Sequence, residues 1–406
     1  MPNGWKRIKL SELGTFSKGS GIKRDEANSG SIPAIRYGEI YTTHNDYIKE
    51  FHSFISEKVA KEATLLKKGD LLFSCSGETK EDIGKCVAFI SNEKAYAGGD
   101  IIILTPAISC DSKYIGFLCN SHFVNKQRYC FAQGDSVVHI SSESIGKIEI
   151  PFPPLNEQKK IAETLSIWDK AIEKTEKLIE SKETQKKLLI WKLIESDCDK
   201  KIKLGNIVID KCKWKKCKLS DIASGFDYGM NAAAKEYDGK NKYIRITDID
   251  DESHKFNTVD LVSPNAELED KYLVNDSDIL FARTGASTGK SYLYDKNDGV
   301  LYFAGFLIRV HILKDNPFFI YVQTLSSKYQ NWLKKMSMRS GQPGVNAEEY
   351  KNLPILVPSL PEQNAIAEIL SAADKELTLL KQQLENYKKQ KQGLMQKLLT
   401  GQWRVK

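Results

Sequence analysis

The chain has 406 residues, 41% of them hydrophobic and 10% aromatic, which is enough for two or three folded domains and excludes a wholly disordered chain. A formal net charge of +7 permits nucleic-acid binding without requiring it. No apolar run reaches the roughly 18 residues of a bilayer span, and no apolar signal-peptide core follows Met1-Pro2-Asn3-Gly4-Trp5, so the expectation is a cytoplasmic protein without membrane contact.

In chain order, residues 1–154 mix short β-rich runs (70–74, 101–104) with Gly, Asn and Ser turns and a helical stretch near 114–120. Pro154-Leu155-Asn156-Glu157 then signals a helix start, and 155–200 reads as helix alone. Residues 201–358 return to the first pattern, with β-rich runs at 278–282 and 306–311 and a helical stretch near 318–338. Pro358-Ser359-Leu360-Pro361-Glu362 opens a second helix over 359–406.

Both long helices carry apolar residues in alternating steps of four and three. In the first, Ile161, Leu165, Trp168, Ile172, Thr175, Ile179, Lys182, Lys186, Leu189 and Leu193 make this seam; in the second, Ile366, Leu370, Ala373, Leu377, Leu380, Leu384, Tyr387, Lys391, Leu394 and Leu398 do. The spacing predicts coiled-coil packing, weakened where a lysine or threonine occupies the seam. At ~1.5 Å per residue, about forty residues span roughly 60 Å. The simplest partner for each helix is the other one, antiparallel in the same chain, which would relate the two globular parts by a pseudo-twofold axis. Parallel pairing between two chains is the alternative. The first helix region balances ten lysines against ten acids over 155–200, as the solvated flanks of a coiled coil do.

The two halves match. Trp5-Lys6 and Leu10-Ser11-Glu12-Leu13 correspond to Trp214-Lys215 and Leu219-Ser220-Asp221-Ile222, and Ile35-Arg36 to Ile244-Arg245. Asp70-Leu71-Leu72-Phe73 corresponds to Asp278-Ile279-Leu280-Phe281, Gly84-Lys85 to Gly289-Lys290, and Ala97-Gly98 to Ala304-Gly305. Leu155-Asn156-Glu157-Gln158 corresponds to Leu360-Pro361-Glu362-Gln363, followed in each half by Ile-Ala and Leu-Ser. The offset drifts only from 209 to 205, so one unit has been duplicated. The fold class expected is α+β: two similar mixed α/β domains separated by two long helices forming an intramolecular antiparallel coiled coil.

These helix starts, Arg36 and Arg245 in their strands, and the closing Gln396-Lys397-Leu398-Leu399-Thr400-Gly401 together resemble the specificity subunit of Type I restriction-modification systems, across essentially the whole chain. The resemblance implies two target-recognition domains that each read half of a split double-stranded DNA site. It also implies helices that set the gap and dock two methyltransferase and two restriction-translocase subunits. S-adenosylmethionine, ATP and magnesium would then be used by those partners, with no cofactor bound by this chain. Two readers about one duplex turn or more apart suit such a site.

The chain's own residues carry no evident catalytic set. The segment from Gly285 to Gly289-Lys290 has three residues between its glycines, where a phosphate-binding loop needs four. Gly19-Ser20-Gly21 lacks the setting of a methyl-donor pocket, and no Asn-Pro-Pro-Tyr stretch exists to hold a flipped adenine. Six scattered histidines suggest no base or ligand set, and the eight cysteines form no metal pattern and read as reduced, mostly buried thiols. A self-sufficient modification enzyme and a coiled-coil scaffold without DNA binding are the rival functions.

For DNA contact the candidates lie in duplicated loops: Arg36 with Arg245; Ser76 and Gly77 with Arg283, Thr284 and Gly285; Lys85 with Lys290; and Gln133, Gly134 and Ser136 with Arg339, Gly341 and Gln342. Arginine reads guanine and glutamine reads adenine through paired hydrogen bonds, while small polar residues suit phosphates. Residues shared by domains that read different sequences cannot all read bases. Arg36 and Arg245 are equally readable as structural partners of Glu39 and Asp248, whereas Arg283 and Gln342, which differ between halves, are the better specificity candidates.

Overall fold

The computed structural model describes residues 2–77, 79, 83–131, 138–196, 201–204, 206–337 and 344–405. The chain divides into two compact units, one formed by 1–177 with 381–406 and the other by 178–380. Each unit therefore contains one mixed α/β part and a portion of both long helices.

The first unit is built on an antiparallel four-stranded sheet in the order Gly14–Lys18, Ile101–Pro106, Leu71–Ser74, Cys86–Ala88. Its two central strands carry unbroken apolar runs, Leu71-Leu72-Phe73 and Ile101-Ile102-Ile103-Leu104, because both faces are covered there. Alternate side chains enter different cores: Leu71, Phe73, Ile102 and Leu104 on one face, Leu72, Val87, Ile101 and Ile103 on the other. The second unit repeats this sheet with Ala223–Tyr228, Leu307–Ile312, Asp278–Ala282 and Ser291–Leu293. Ile279, Phe281, Ile308 and Val310 face one core, and Leu280, Ala282 and Leu307 the other. In both units a short parallel pair lies in a further sheet: Ile32–Ile35 with Tyr96–Ala97, and Lys242–Ile244 with Leu301–Phe303.

Register places the duplication more finely than residue matching does. Gly98 N–H donates to Ile35 O at 2.9 Å and Ala304 N–H to Ile244 O at 3.0 Å. Gly98 is therefore the counterpart of Ala304, one residue away from the pairing read in the sequence. A bulge between Gly225 and Asp227 inserts a further residue in the second unit.

Each unit covers its sheet with two helices rather than the single stretch expected: Ser112–Cys119 and His122–Phe131 in the first, Pro317–Gln323 and Ser327–Ser337 in the second. A serine makes each break. Ser121 donates to Leu118 O and accepts from Val124 N–H, and Ser326 donates to Gln323 O and accepts from Tyr329 N–H. Each hydroxyl closes one helix and caps the next.

The long helices run Leu155–Ile190 and Leu360–Leu399. In the first unit Asp169 pairs with Lys391 (2.6 Å), Glu176 with Lys388 (3.0 Å), and the Trp168 ring meets Tyr387 edge-on at 5.8 Å. In the second, Lys182 pairs with Glu376 (2.8 Å) and Lys186 with Asp374. Partners ascend one helix as they descend the other, so the pairing is antiparallel and within one chain. Ile161, Leu165, Thr175, Ile179, Ile366, Leu370, Leu377 and Leu398 are buried; Trp168, Ile172, Leu189, Leu380, Leu384 and Leu394 are half-buried. The seam lysines do more than weaken the seam: Lys182, Lys186 and Lys391 each find a carboxylate on the opposite helix.

The duplicated Glu-Gln pairs explain themselves here. Gln158 accepts from Asp111 N–H (2.9 Å) and donates to Pro153 O (2.8 Å), and Gln363 accepts from Asn316 N–H (2.8 Å) and donates to Pro358 O (3.1 Å). Both glutamines are buried, and each clamps a long-helix start to the loop that precedes the sheet-covering helices. Glu157 accepts from Trp5 Nε1 (3.1 Å) and from Arg404 Nε (3.0 Å) and Nη2 (2.7 Å). The described cysteines form no disulfide; Cys75, Cys86 and Cys119 are buried, but Cys130 and Cys212 are exposed, so burial is less general than expected. Among the described residues no helix is long and apolar enough to cross a membrane.

Two outcomes follow from these contacts. Gln158→Leu and Gln363→Leu each strand a backbone N–H without its acceptor, and each should cost its own unit about 2 kcal/mol in denaturant unfolding. The Arg404 hydrogen bonds, helped by Trp5 and opposed by burial, hold the Glu157 carboxyl below its usual range. Its charged form is favoured by the fold, so the stabilisation is complete above the ordinary carboxylate range and lost as pH falls through the lowered value. Scanning calorimetry should show the first unit's Tm falling as pH drops from about 5 to about 3, and Arg404→Ala should flatten that slope.

Candidate nucleic-acid interface

The candidate loops leave the ends of the central strands. Leu71–Ser74 delivers Cys75, whose N–H donates to Asp100 O (3.0 Å) and whose carbonyl accepts from Ile140 N–H (3.1 Å). Asp278–Ala282 delivers Arg283, whose N–H donates to Phe306 O (3.0 Å) and whose carbonyl accepts from Val345 N–H (2.9 Å). The backbone frame is the same in both units. Ser76 and Gly77 continue it by pairing with His139 and Val138, and Thr284 does so through a bridge to Gly344. The Ser76 hydroxyl lies 3.1 Å from His139 Nδ1.

Beyond Thr284, Gly285–Ser287 forms a helical turn closed by the Thr288 hydroxyl on Gly285 O (2.7 Å). The glycine before each lysine is there for packing. A Cβ on Gly289 would lie 2.1 Å from Leu333 Cδ2, and one on Gly84 would lie 2.8 Å from Arg128 Cδ; both glycines have positive φ. Side chains at these positions would collide with the second sheet-covering helix of their unit. Lys85 donates to His44 O (2.7 Å), and Lys290 donates to Ile249 O (3.4 Å) and pairs with Asp251. These lysines brace neighbouring loops, a role that residue spacing alone does not reveal.

The two shared arginines separate. Arg245 grips Asp248 in a fork, with Nε and Nη2 each 2.8 Å from a carboxylate oxygen, which raises its already high pKa. Arg36 donates only its backbone N–H to Glu39 (3.2 Å), while the other Glu39 oxygen takes the Ser53 hydroxyl. The half-buried Arg36 guanidinium has no polar partner among the described residues. Gln133, Gly134, Ser136, Arg339, Gly341 and Gln342 lie outside the described residues.

A His–Asp contact that could pass for catalytic machinery is structural. His311 Nδ1 lies 2.8 Å from Asp278 Oδ1, but the counterpart carboxylate, Asp70, takes the Thr105 hydroxyl at 2.7 Å instead. Each carboxylate also caps the turn before its strand, through Asn275 N–H and Lys67 N–H. Burial pushes the Asp278 carboxyl up. Among the described residues no group of three or more His, Cys, Asp or Glu side chains could hold a metal ion.

Arg283 is held by rings and a carbonyl, with no carboxylate partner among the described residues. Its Nε donates to Gly305 O at 3.2 Å, and its guanidinium lies 4.8 Å from the Tyr228 ring centroid and 5.7 Å from that of Phe306. Neither ring stands out in the sequence. The bulge and the one-residue shift hide their counterparts, which only the strand register reveals.

The Type I restriction modification DNA specificity domain matches twice, at residues 2–181 and 211–388. The specificity subunit of the MjaVIII Type I restriction enzyme of Methanocaldococcus jannaschii is 24% identical, over 100% of this chain and 94% of that protein. The EcoKI specificity subunit of Escherichia coli K12 is 23% identical, over 100% and 91%. The crystal structure of the Type I restriction-modification S subunit from M. genitalium superposes with a TM-score of 0.60 at 16% identity, covering 98% of this chain and 97% of that one. With a specificity domain in each half and full-length relatives of one kind, the chain belongs to the specificity subunits of Type I restriction-modification systems.

Proposed function

We propose that the chain reads a two-part double-stranded DNA site, one part through residues 1–154 and the other through 201–358, and that 155–200 and 359–406 set the gap and dock the partner subunits. Two methyltransferase subunits, using S-adenosylmethionine, modify an adenine in each half-site. Two restriction-translocase subunits use ATP and magnesium. The chain contributes no catalytic group; it selects where the partners act.

One observation carries this reading. The same backbone frame occurs twice, with Cys75 hydrogen-bonded to Asp100 and Arg283 to Phe306, yet the side chains on it differ. A frame kept twice under unlike surface chemistry suits two readers of unlike sequences, because phosphate contacts only position a protein whereas base contacts discriminate. The buried sheet leaves the strand-end loops as the places where reading chemistry can vary. Partner docking fits the exposed apolar side chains of the long helices, Ile167, Leu188 and Leu379 among them.

The purified chain should transfer no methyl groups alone, and should direct the methyltransferase of its own system to a single two-part motif, read by mapping methylated adenines in a host genome. Inserting seven residues into both long helices at facing seam positions should lengthen the pair by ~10 Å and widen the motif's gap by about three base pairs. An unchanged gap with methylation retained would remove the spacer role from the helices.

A further inference from the structure

We infer that Arg283, clasped between Tyr228 and Phe306, reads a guanine in the half-site of the second unit, and that the equivalent trio Lys18, Cys75 and Asp100 makes the corresponding surface of the first unit read a different base pair. The inference rests on the two-part reading proposed above and assigns one base contact within it.

The equivalence of the two trios comes from backbone hydrogen bonds. Tyr228 faces Ile308 across the sheet as Lys18 faces Ile102, and the next residue, Gly229 or Gly19, donates to Leu307 O or Ile101 O. Arg283 donates to Phe306 O as Cys75 donates to Asp100 O. All three positions thus coincide: one at the end of an edge strand, one just past the end of a central strand, and one just before the strand that lies between those two.

The fold does not require the second unit's side chains. The first unit closes the same hydrogen bonds with a lysine, a cysteine and an aspartate. Nor are the two rings core residues, since Tyr228 is 45% exposed and Phe306 55% exposed. The Tyr228 ring is restrained at its tip, where its oxygen accepts from Ala347 N–H at 3.2 Å, and the Phe306 backbone is anchored through its carbonyl by Arg283 itself.

What the clasp achieves is a guanidinium held in one orientation. Its Nε is committed to Gly305 O, and its two terminal nitrogens have no partner among the described residues. A guanidinium that must offer two parallel N–H donors to guanine O6 and N7 loses less freedom on binding when rings already restrain it. A lysine at the same position would present a point charge and could not reproduce the fork. The first unit offers a contrasting set: exposed Lys18 and exposed Asp100, with Cys75 Sγ 3.8 Å from Asp100 Oδ1. A carboxylate there accepts from a cytosine amino group.

The test expresses the full chain with the methyltransferase of its system and maps methylated adenines for wild type, Arg283→Ala, Arg283→Lys and the double variant Tyr228→Leu/Phe306→Leu. The expected result is a two-part motif in which Arg283→Ala and Arg283→Lys relax one guanine position about tenfold or more. The double ring variant should relax the same position more weakly, and the other half-site should be unchanged. A two-part wild-type motif that survives Arg283→Ala with every position intact overturns this inference alone; a wild-type pattern without two parts overturns the underlying reading as well. Should Arg283→Ala abolish methylation, the wild-type complex is assayed on duplexes carrying 7-deazaguanine at each guanine in turn. A single sensitive position in one half-site supports the contact, and no sensitive position overturns it.

Discussion

The clamp formed by Gln158 and Gln363 is the constraint on which both units depend. Each buried amide uses both its ends: the oxygen takes a backbone N–H from the loop before the sheet-covering helices, and the nitrogen reaches a proline carbonyl at the root of the long helix. Without it a helix start and a mixed α/β part would lean more heavily on apolar contact, which is strong but indifferent to orientation. Hydrogen bonds at this joint fix the angle at which the helix leaves. In the first unit the joint is reinforced where Trp5, Glu157 and Arg404 gather residues from near the start of the chain, from the first long helix and from near the end of the chain.

Around that joint the sheets divide the labour between what is fixed and what can vary. Along their apolar runs the central strands are buried on both faces, so a change there is felt in a core. Freedom to change survives where the strands give way to loops, and there the two units differ in chemical character. Arg283 stands where Cys75 does, and Phe306 where Asp100 does, on hydrogen bonds that are otherwise the same. Duplication thus supplies a control within a single molecule: whatever differs on an identical frame is not needed to hold the frame.

Much of this plan is legible in the chain. A repeat offset that barely drifts, two proline-led helix starts and two seams are signals of long period, which local irregularity cannot erase. The interface is less legible, for reasons that lie in particular residues. A one-residue bulge at Phe226 and a one-residue shift at Gly98 move Tyr228 and Phe306 away from the counterparts that a smooth offset assigns them. Lys85 and Lys290 are only candidates for DNA contact in sequence; their bonds to carbonyls in the fold are not legible there, because those carbonyls come from distant loops. The helices His122–Phe131 and Ser327–Ser337 depend on single serine caps that periodicity does not register.

The seam lysines decide which of the possible helix pairings forms. An apolar heptad alone would accept several partners and registers, including a second copy of the chain in parallel. Lys391 at a seam position meets Asp169 on the opposite helix and also Asp46 (3.1 Å) from the mixed part of its unit, and Lys182 and Lys186 meet Glu376 and Asp374. Slide the helices by one heptad, or reverse one of them, and Lys391 is left largely buried without its carboxylates, at a cost of several kcal/mol. The same charges that interrupt the apolar stripe therefore select one register and one direction out of those the stripe would allow. Register is what a spacer must not lose, because a slipped helix pair would alter the reach between the two readers that the chain is proposed to carry.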